Sequence, residues 1–340
     1  MTGIAPHSGS GDRLPEVSVI VPAGRDAPWL KQTLDSLLAQ KTQRVFEIVV
    51  VGDIASQPVM DPRIIRVEFR DLNPAARRNA GASQSRGAIL GFIDDDATAD
   101  PDWIERACLL FAESTDTLAL GGPDPAPVDS PSSELLSETL LATPLIGSGI
   151  AAHENRQGTF RITSPHDLAL VNLFVKRERF EAAGGFDETI GYIGEDTALL
   201  AKLIQSGTVL YSSDVVVRHR RRPFPGPYLL QRWKYRLKGG RMFARGIPAY
   251  RKNRKVAMLL TAGTTFLVVM VLAPPLAAVL LAIYLSLTFF LGVRVTRLPI
   301  QWWPLIPIAF LAHHTTYFFG IVTGIVSEAL RTRISNRPPS

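Results

Sequence analysis

The sequence predicts an α/β protein with a mostly parallel, Rossmann-like sheet, followed by C-terminal transmembrane helices. Three observations lead there. Short apolar runs alternate with helical patterns over residues 17–217. The run Ala88-Ile89-Leu90-Gly91-Phe92-Ile93 ends in three consecutive carboxylates, Asp94-Asp95-Asp96. The 38 residues from Val256 to Val293 carry no charge. Strands alternating with helices at such spacing imply a sheet covered on both faces, and ligands of such sheets bind at strand ends.

Taken in order, Val17–Pro22 reads as a buried strand and Trp29–Gln40 as a helix with Leu30, Leu34, Leu37 and Leu38 at helical spacing. Phe46–Val51 and Ile64–Phe69 are the next strands. Pro74–Ser85 is a helix with Asn73 as its cap and Pro74 at its first position. The strand into the acid triplet follows, then a helix opened by Asp100-Pro101. Residues 121–168 hold Pro123, Pro125, Pro127, Pro131, Pro144 and Pro165 and read as a loop-rich insertion with a helix near Ser132–Leu141. Such segments carry recognition, here of the acceptor. Regular structure resumes with Leu170–Lys176, a helix through Arg177–Ala183, the turn Gly184-Gly185, a helix after Glu195 and a strand over Val209–Val217.

Charge divides the chain more sharply than its net of +6 implies. Residues 1–217 are net −12, whereas residues 218–255 carry 14 Lys and Arg and no acid. From 256 to 327 only Arg294 and Arg297 are charged. Basic residues next to an apolar stretch point to anionic lipid headgroups rather than nucleic acid. Leu229, Trp233 and Leu237 recur every four residues among Gln231, Arg232, Lys234, Arg236 and Lys238, as in an amphipathic interfacial helix. A single helix over Val256–Val293 would be ~57 Å long, against a hydrocarbon core of ~30 Å. Two helices meeting at Pro274-Pro275 fit better, and a further uncharged stretch over Leu298–Ser327 makes three. Two spans would instead keep Arg331, Arg333 and Arg337 inside, so both topologies stay open. His313-His314-Thr315-Thr316-Tyr317, within the last stretch, reads as helix packing.

The domain boundaries that follow are a flexible N-terminus over 1–15, a catalytic α/β domain over 16–225, a basic amphipathic segment over 226–255, a transmembrane region of two or three helices over 256–327, and a basic tail over 328–340. The lone Cys108 excludes an internal disulfide and suits a reducing compartment. Met1–Glu16 is polar, without the apolar core of a signal peptide. The expected location is the inner cell membrane, multi-pass, with the catalytic domain in the cytoplasm.

Clustered hard oxygens at a strand end suit Mg²⁺ or Mn²⁺ carrying phosphates. A second acid pair, Glu195-Asp196, follows Gly194 at a helix start and supplies a separate candidate base. The ordered set Val17–Pro22, Leu34–Gln40, Glu47–Val51, Arg78-Asn79-Ala80-Gly81, Phe92–Asp96, Gly184-Gly185-Phe186-Asp187 and Gly194-Glu195-Asp196 resembles family 2 inverting glycosyltransferases of the GT-A nucleotide-diphospho-sugar transferase fold, over roughly residues 17–220. The resemblance implies that Asp94 and Asp96 are the outer acids of a DxD element holding the metal, with Asp95 between them near the donor. It also implies that Asp196 is the catalytic base and that Arg78 and Asn79 lie in a loop lining the donor site. His219 resembles a histidine that completes the metal shell in some GT-A enzymes. The implied donor-binding set is thus Pro22, Asp53, Arg78, Asn79, Asp94 and Asp95, and the metal set Asp94, Asp96 and His219. Two positions depart from the family. Arg25-Asp26 replaces its usual pair after the first strand, and Gly52-Asp53 replaces an acid pair, so only Asp53 carries over. Arg232-Trp233 is similar to the end of the QxxRW element of processive synthases, but Leu229 stands where the glutamine belongs, and processivity is not implied.

The expected activity is metal-dependent, inverting transfer of a sugar from a nucleotide-sugar donor to a lipid-linked or glycan acceptor in cell-envelope or exopolysaccharide synthesis. Transfer directly to polyprenyl phosphate is a variant. Nucleotidyl transfer to a sugar phosphate is the alternative from another class, although Pro22-Ala23-Gly24-Arg25 is a poor version of its Gly-rich loop.

Overall fold

A run of apolar residues with no alternation belongs in a strand flanked on both sides and covered on both faces. In the computed structural model, which describes residues 14–24, 27–53, 61–147, 150–190, 194–247 and 254–335, β1 (Val17–Ala23) occupies such a place. It pairs in parallel with β2 (Phe46–Gly52) on one side and β4 (Ile89–Phe92) on the other. β3 (Ile64–Glu68) adds in parallel to β2. The sheet continues beyond β4 as β8 (Leu173–Lys176), β6 (Thr117–Gly121), β9 (Thr208–Ser212) and β7 (Thr159–Arg161). β8 runs antiparallel to both of its neighbours, and β7 antiparallel to β9, so the sheet is mixed.

Helices cover both faces. α1 (Leu30–Leu38) and α3 (Trp103–Glu113) bury Leu30, Leu34, Leu37, Trp103, Ile104 and Phe111 on one face. Cys108 is part of this core. α2 (Pro74–Gln84) and α6 (Glu195–Ser206) cover the other, where Phe92, Phe180 and Phe186 meet edge-on or tilted at 5.1–5.6 Å. Asn73 caps α2, accepting from the Ala75 N–H at 3.0 Å. α5 (Arg177–Ala182) follows β8 and buries Phe180.

The expected strand over Val209–Val217 is broken. Val215 N–H bonds back to Ser212 O, closing a turn, and the chain leaves the main sheet. It forms β10 (Val217–His219), antiparallel to β5 (Ala97–Ala99). This small ribbon sets His219 opposite Ala97, next to the acid triplet.

The chain divides into two units. One runs up to Pro125 and again from Ile150 to His219, and the other comprises Ala126–Gly149 and Arg220–Ser340. α4 (Ser132–Ala142), expected within a loop-rich insertion, therefore belongs with the C-terminal helices. These are α7 (Gly226–Ala244), α8 (Arg254–Leu272), α9 (Pro274–Val293) and α10 (Leu305–Ser335). The break between α8 and α9 falls at Pro274-Pro275. Leu136, Leu140, Tyr228, Ile306 and Phe310 form the core of this unit. His313 and His314 are packing residues. The first bonds Tyr228 Oη at 2.7 Å, and the second bonds Tyr284 Oη at 2.7 Å and Ile146 O at 2.8 Å. Pro274–Val293 and Leu305–Thr332 are long and apolar enough to cross a membrane, while Val256–Leu272 is a shorter apolar helix. α7 lies along the C-terminal part of α10, where Gly240, Gly320 and Gly324 let the backbones approach too closely for a Cβ. The amphipathic helix expected from Leu229, Trp233 and Leu237 thus turns part of its charge inward. Arg236 lies over the Tyr317 ring at 3.9 Å.

Candidate active site

β4 delivers the acid triplet to the C-terminal edge of the parallel strands, and Arg78 on α2 meets it there. The Arg78 guanidinium stands 2.7 Å from Asp94 Oδ1 and 3.2 Å from Glu195 Oε1, with Arg78 and Glu195 both buried. One cation therefore bridges the end of β4 to the first turn of α6. Burial works against its charge, but Asp94 and Glu195 more than offset that and raise its pKa. Its Nε is buried with no hydrogen-bond partner among the described residues. Glu195 is pushed up to about 7, first by burial and then by Asp196, with Arg78 pulling it back.

Asp95 turns the other way. Its Oδ2 accepts from the Gly24 N–H at 2.8 Å and its carbonyl accepts from Thr33 Oγ1 at 3.1 Å, fixing the loop after β1 to the triplet. Burial, with the neighbouring Asp96 and Asp94 charges, raises its pKa to about 6 against the pull of the Gly24 N–H. Asp96 faces His219, whose Nε2 is 3.2 Å from Asp96 Oδ1. Behind His219 lies the fully buried Asp124, 3.8 Å from its Nδ1 and 3.4 Å from His153 Nε2. Asp124 is held in place by its neighbours, because the buried Asn172 amide donates to Pro123 O at 3.0 Å and to Val215 O at 2.7 Å.

Asp94, Asp96 and His219 present ligand atoms that all lie within 4.8 Å of one another. Two carboxylates and an imidazole are a suitable donor set for Mg²⁺ or Mn²⁺, so the residues present fit the expected ion.

Asp196 stands in the first turn of α6, which Gly194 opens in the left-handed region at φ +97°, a conformation that favours glycine. Its Oδ1 accepts from Thr197 N at 2.6 Å. Oδ2 makes no hydrogen bond among the described residues, and Arg78 feels the Asp196 charge. Arg78 and Asn79 were expected in a loop but are helical. The Asn79 amide is tied to the following turn, donating to Phe186 O at 2.9 Å and to Glu188 Oε1 at 2.8 Å while accepting from Phe186 N at 3.0 Å. Pro22 sits in β1 opposite Val51, and Asp53 directly follows β2. Arg25-Asp26 lies outside the described residues. The sequence did not single out Glu195 as a partner of Arg78, nor Asp124 and His153. For Asp124 a signal existed in the prolines on either side of it.

Residues 18–166 match the model of the family described as Glycosyl transferase family 2. The chain is 29% identical over 205 residues to the succinoglycan biosynthesis protein ExoO of Rhizobium meliloti (strain 1021), covering 58% of this chain and 58% of that one. It is 27% identical over 173 residues to the glucosyl-dolichyl phosphate glucuronosyltransferase of Haloferax volcanii, covering 48% of this chain and 53% of that one. The chain thus spans little more than half the length of these relatives. In fold it is similar to the mannosyltransferase PcManGT from Pyrobaculum calidifontis, solved with GDP-Man and Mn²⁺, with a TM-score of 0.56 at 20% identity over 91% of this chain and 88% of that one. Residues 18–166, which carry the acid-tipped β4 and Arg78, thus match the glycosyl transferase family 2 model, and the chain shares the GT-A fold.

Proposed function

We propose that the protein is a metal-dependent, inverting glycosyltransferase that moves a sugar from a nucleotide-sugar donor to a lipid-linked or glycan acceptor at a membrane, in cell-envelope or exopolysaccharide assembly. The observation that carries this reading is the joint placement of Asp94, Asp96 and His219 with the Arg78 bridge to Glu195 and Asp196. A hard-cation site and a separate carboxylate are held in one frame, as displacement of a diphosphate leaving group requires. The relatives named for succinoglycan biosynthesis and for transfer to a dolichyl phosphate sugar support the acceptor class. The two long apolar helices support membrane anchoring, and a multi-pass arrangement with the catalytic domain on the cytoplasmic side is part of this proposal.

A divalent ion bound by Asp94, Asp96 and His219 would neutralise charge on the leaving nucleoside diphosphate. The chain's own residues do the rest. Asp196 receives the proton of the acceptor hydroxyl on Oδ2 as that oxygen attacks the anomeric carbon. Arg78 fixes β4 and α6 relative to each other, so acid cluster and base keep the alignment that in-line attack needs. Asp95, anchored by Gly24, shapes the donor side together with Pro22 and Asp53. Incubation of the protein with nucleotide sugars, Mn²⁺ and a polyprenyl-diphosphate sugar should release a free nucleoside diphosphate. Pyrophosphate released in a parallel incubation with a nucleoside triphosphate and a sugar phosphate would mark a nucleotidyltransferase instead, and neither product in either incubation would end both readings.

A further inference from the structure

The second unit contains two arginines that lack what its other shielded arginines have. Arg221 is buried against Glu138 at 2.6 Å, and Arg220 reaches Asp129 at 3.2 Å and Glu134 at 3.5 Å. The exposed Arg245 likewise pairs with Glu328 of α10 at 2.8 Å. Arg232 and Arg236 stand one turn apart on α7 and face α10, and no carboxylate lies within ion-pair distance of either among the described residues. Their surroundings are aromatic. Arg232 lies over Tyr228 at 5.4 Å and Tyr235 at 4.9 Å, and Arg236 lies over Tyr317 at 3.9 Å. Arg232 donates to Gln231 Oε1 at 2.6 Å.

The same place gathers three buried polar atoms that have no hydrogen-bond partner among the described residues, Arg232 Nε, Arg236 Nε and His313 Nε2. Tyr317 Oη stands beside both guanidinium groups. His313 and Tyr317 are themselves almost fully buried, with ring centroids 4.1 Å apart. Cation–π contacts offset part of the desolvation of a guanidinium but leave its charge uncompensated, and shielded charges are ordinarily paired. The cluster has the donors and the charge for an anion, and a tetrahedral oxyanion is what guanidinium forks bind best.

The flanks of the α7–α10 pair indicate where that anion comes from. Ile308, Leu311, Phe319, Val326 and Leu330 expose an apolar stripe along α10, while Lys234 and Arg241 are exposed on α7. Apolar surface on one flank and cationic surface on the other bring acyl chains and anionic headgroups of the same lipid to this seam. We propose that Arg232 and Arg236, with Tyr317 and His313, form a binding site for the phosphate of an anionic membrane lipid, wedged between α7 and α10. This proposal goes beyond sugar transfer, and its readout is independent of turnover.

The test uses full-length protein in nanodiscs of phosphatidylcholine, with or without phosphatidylglycerol. Phosphatidylglycerol should raise the melting temperature of the native protein. Arg232→Met with Arg236→Met should abolish that rise, weakening apparent phosphatidylglycerol affinity by on the order of tenfold or more, the range of charge-assisted bonds to phosphate. In phosphatidylcholine alone the same variant should melt at or above the native temperature, because apolar replacement of an uncompensated buried charge relieves desolvation. Lys234→Gln with Arg241→Gln removes the same charge from the surface and should keep the rise. The proposal is overturned if phosphatidylglycerol does not stabilise the native protein, or if the surface pair loses the response equally, which would mark diffuse attraction. It is also overturned if the methionine variant melts lower in phosphatidylcholine, or if inorganic phosphate alone reproduces the rise.

Discussion

Replacing Arg78 with methionine removes the cation that joins the two halves of the acid cluster. The guanidinium is 2.7 Å from Asp94 and 3.2 Å from Glu195, and the Arg78–Glu195 pair is shielded from water on both sides. Breaking a buried pair by deleting one partner costs about 3–5 kcal/mol. At about 2–4 °C per kcal/mol for a domain of this size, the apparent melting temperature should fall by about 6–20 °C. The pH dependence is the sharper check. Glu195 already sits near 7 because burial and Asp196 favour its neutral form, and Arg78 is what restrains it. A carboxyl whose pKa is higher in the folded state contributes most below its unfolded value and loses that contribution as pH rises through the folded one. Without Arg78 the folded pKa climbs further. The deficit relative to the native protein should therefore be larger at about pH 8 than at about pH 5.5, on either side of the Glu195 pKa. Melting curves of both proteins in detergent with excess EDTA, at the two pH values, measure it. A deficit below about 1 kcal/mol, the size expected of an exposed pair, or one equal at both pH values, would refute the electrostatic account of the bridge.

Asp196→Asn should lower turnover by about 10²–10⁴ while donor affinity by calorimetry stays near native; normal turnover would remove Asp196 from the reaction. Asp96→Ala should weaken Mn²⁺ binding, read by paramagnetic resonance of the free ion, and excess EDTA should silence the native protein until Mn²⁺ is restored. Full activity in EDTA would leave the triplet a structural turn. Gly240→Leu should destabilise the protein by about 1–3 kcal/mol or more, as overpacking does, because the Gly240 position already abuts Ile321 and Gly324. An unchanged melting curve would show that α7 does not depend on this seam.

What was legible in the fold was local. Strands β1, β2 and β4 declare themselves as unbroken apolar runs, and α2 declares its start through Asn73 and Pro74. Strand direction is not a local property. Nothing in Leu173–Lys176 says that it runs antiparallel between β4 and β6. Three-residue strands such as β5, β7 and β10 are defined by their partners. Val209–Val217 reads as one strand, yet Ser212-Ser213-Asp214 interrupts its apolar residues and a turn at Ser212–Val215 splits it. The same limit applies to α4, whose helix was readable, although its packing with the C-terminal helices depends on partners such as Thr296, 2.7 Å from Thr139.

The site divides along the same line. Asp94, Asp96 and Asp196 stand out by their placement at a strand end or helix start, and His219 by the family resemblance; their roles are proposals. Their supports do not stand out, since Arg78 and Glu195 are 117 residues apart and Asp124 reaches His219 only through the fold. A buried charge is explained by its partner, and partners are set by three-dimensional contact. Arg78 shows the principle satisfied, with one cation standing against both Asp94 and Glu195. Arg232 and Arg236 show it unsatisfied among the described residues, with cations shielded by aromatic rings and no acid in reach. In the first case the partner was hidden by sequence distance. In the second the partner we propose is a lipid phosphate, which the reading of residue patterns does not reveal.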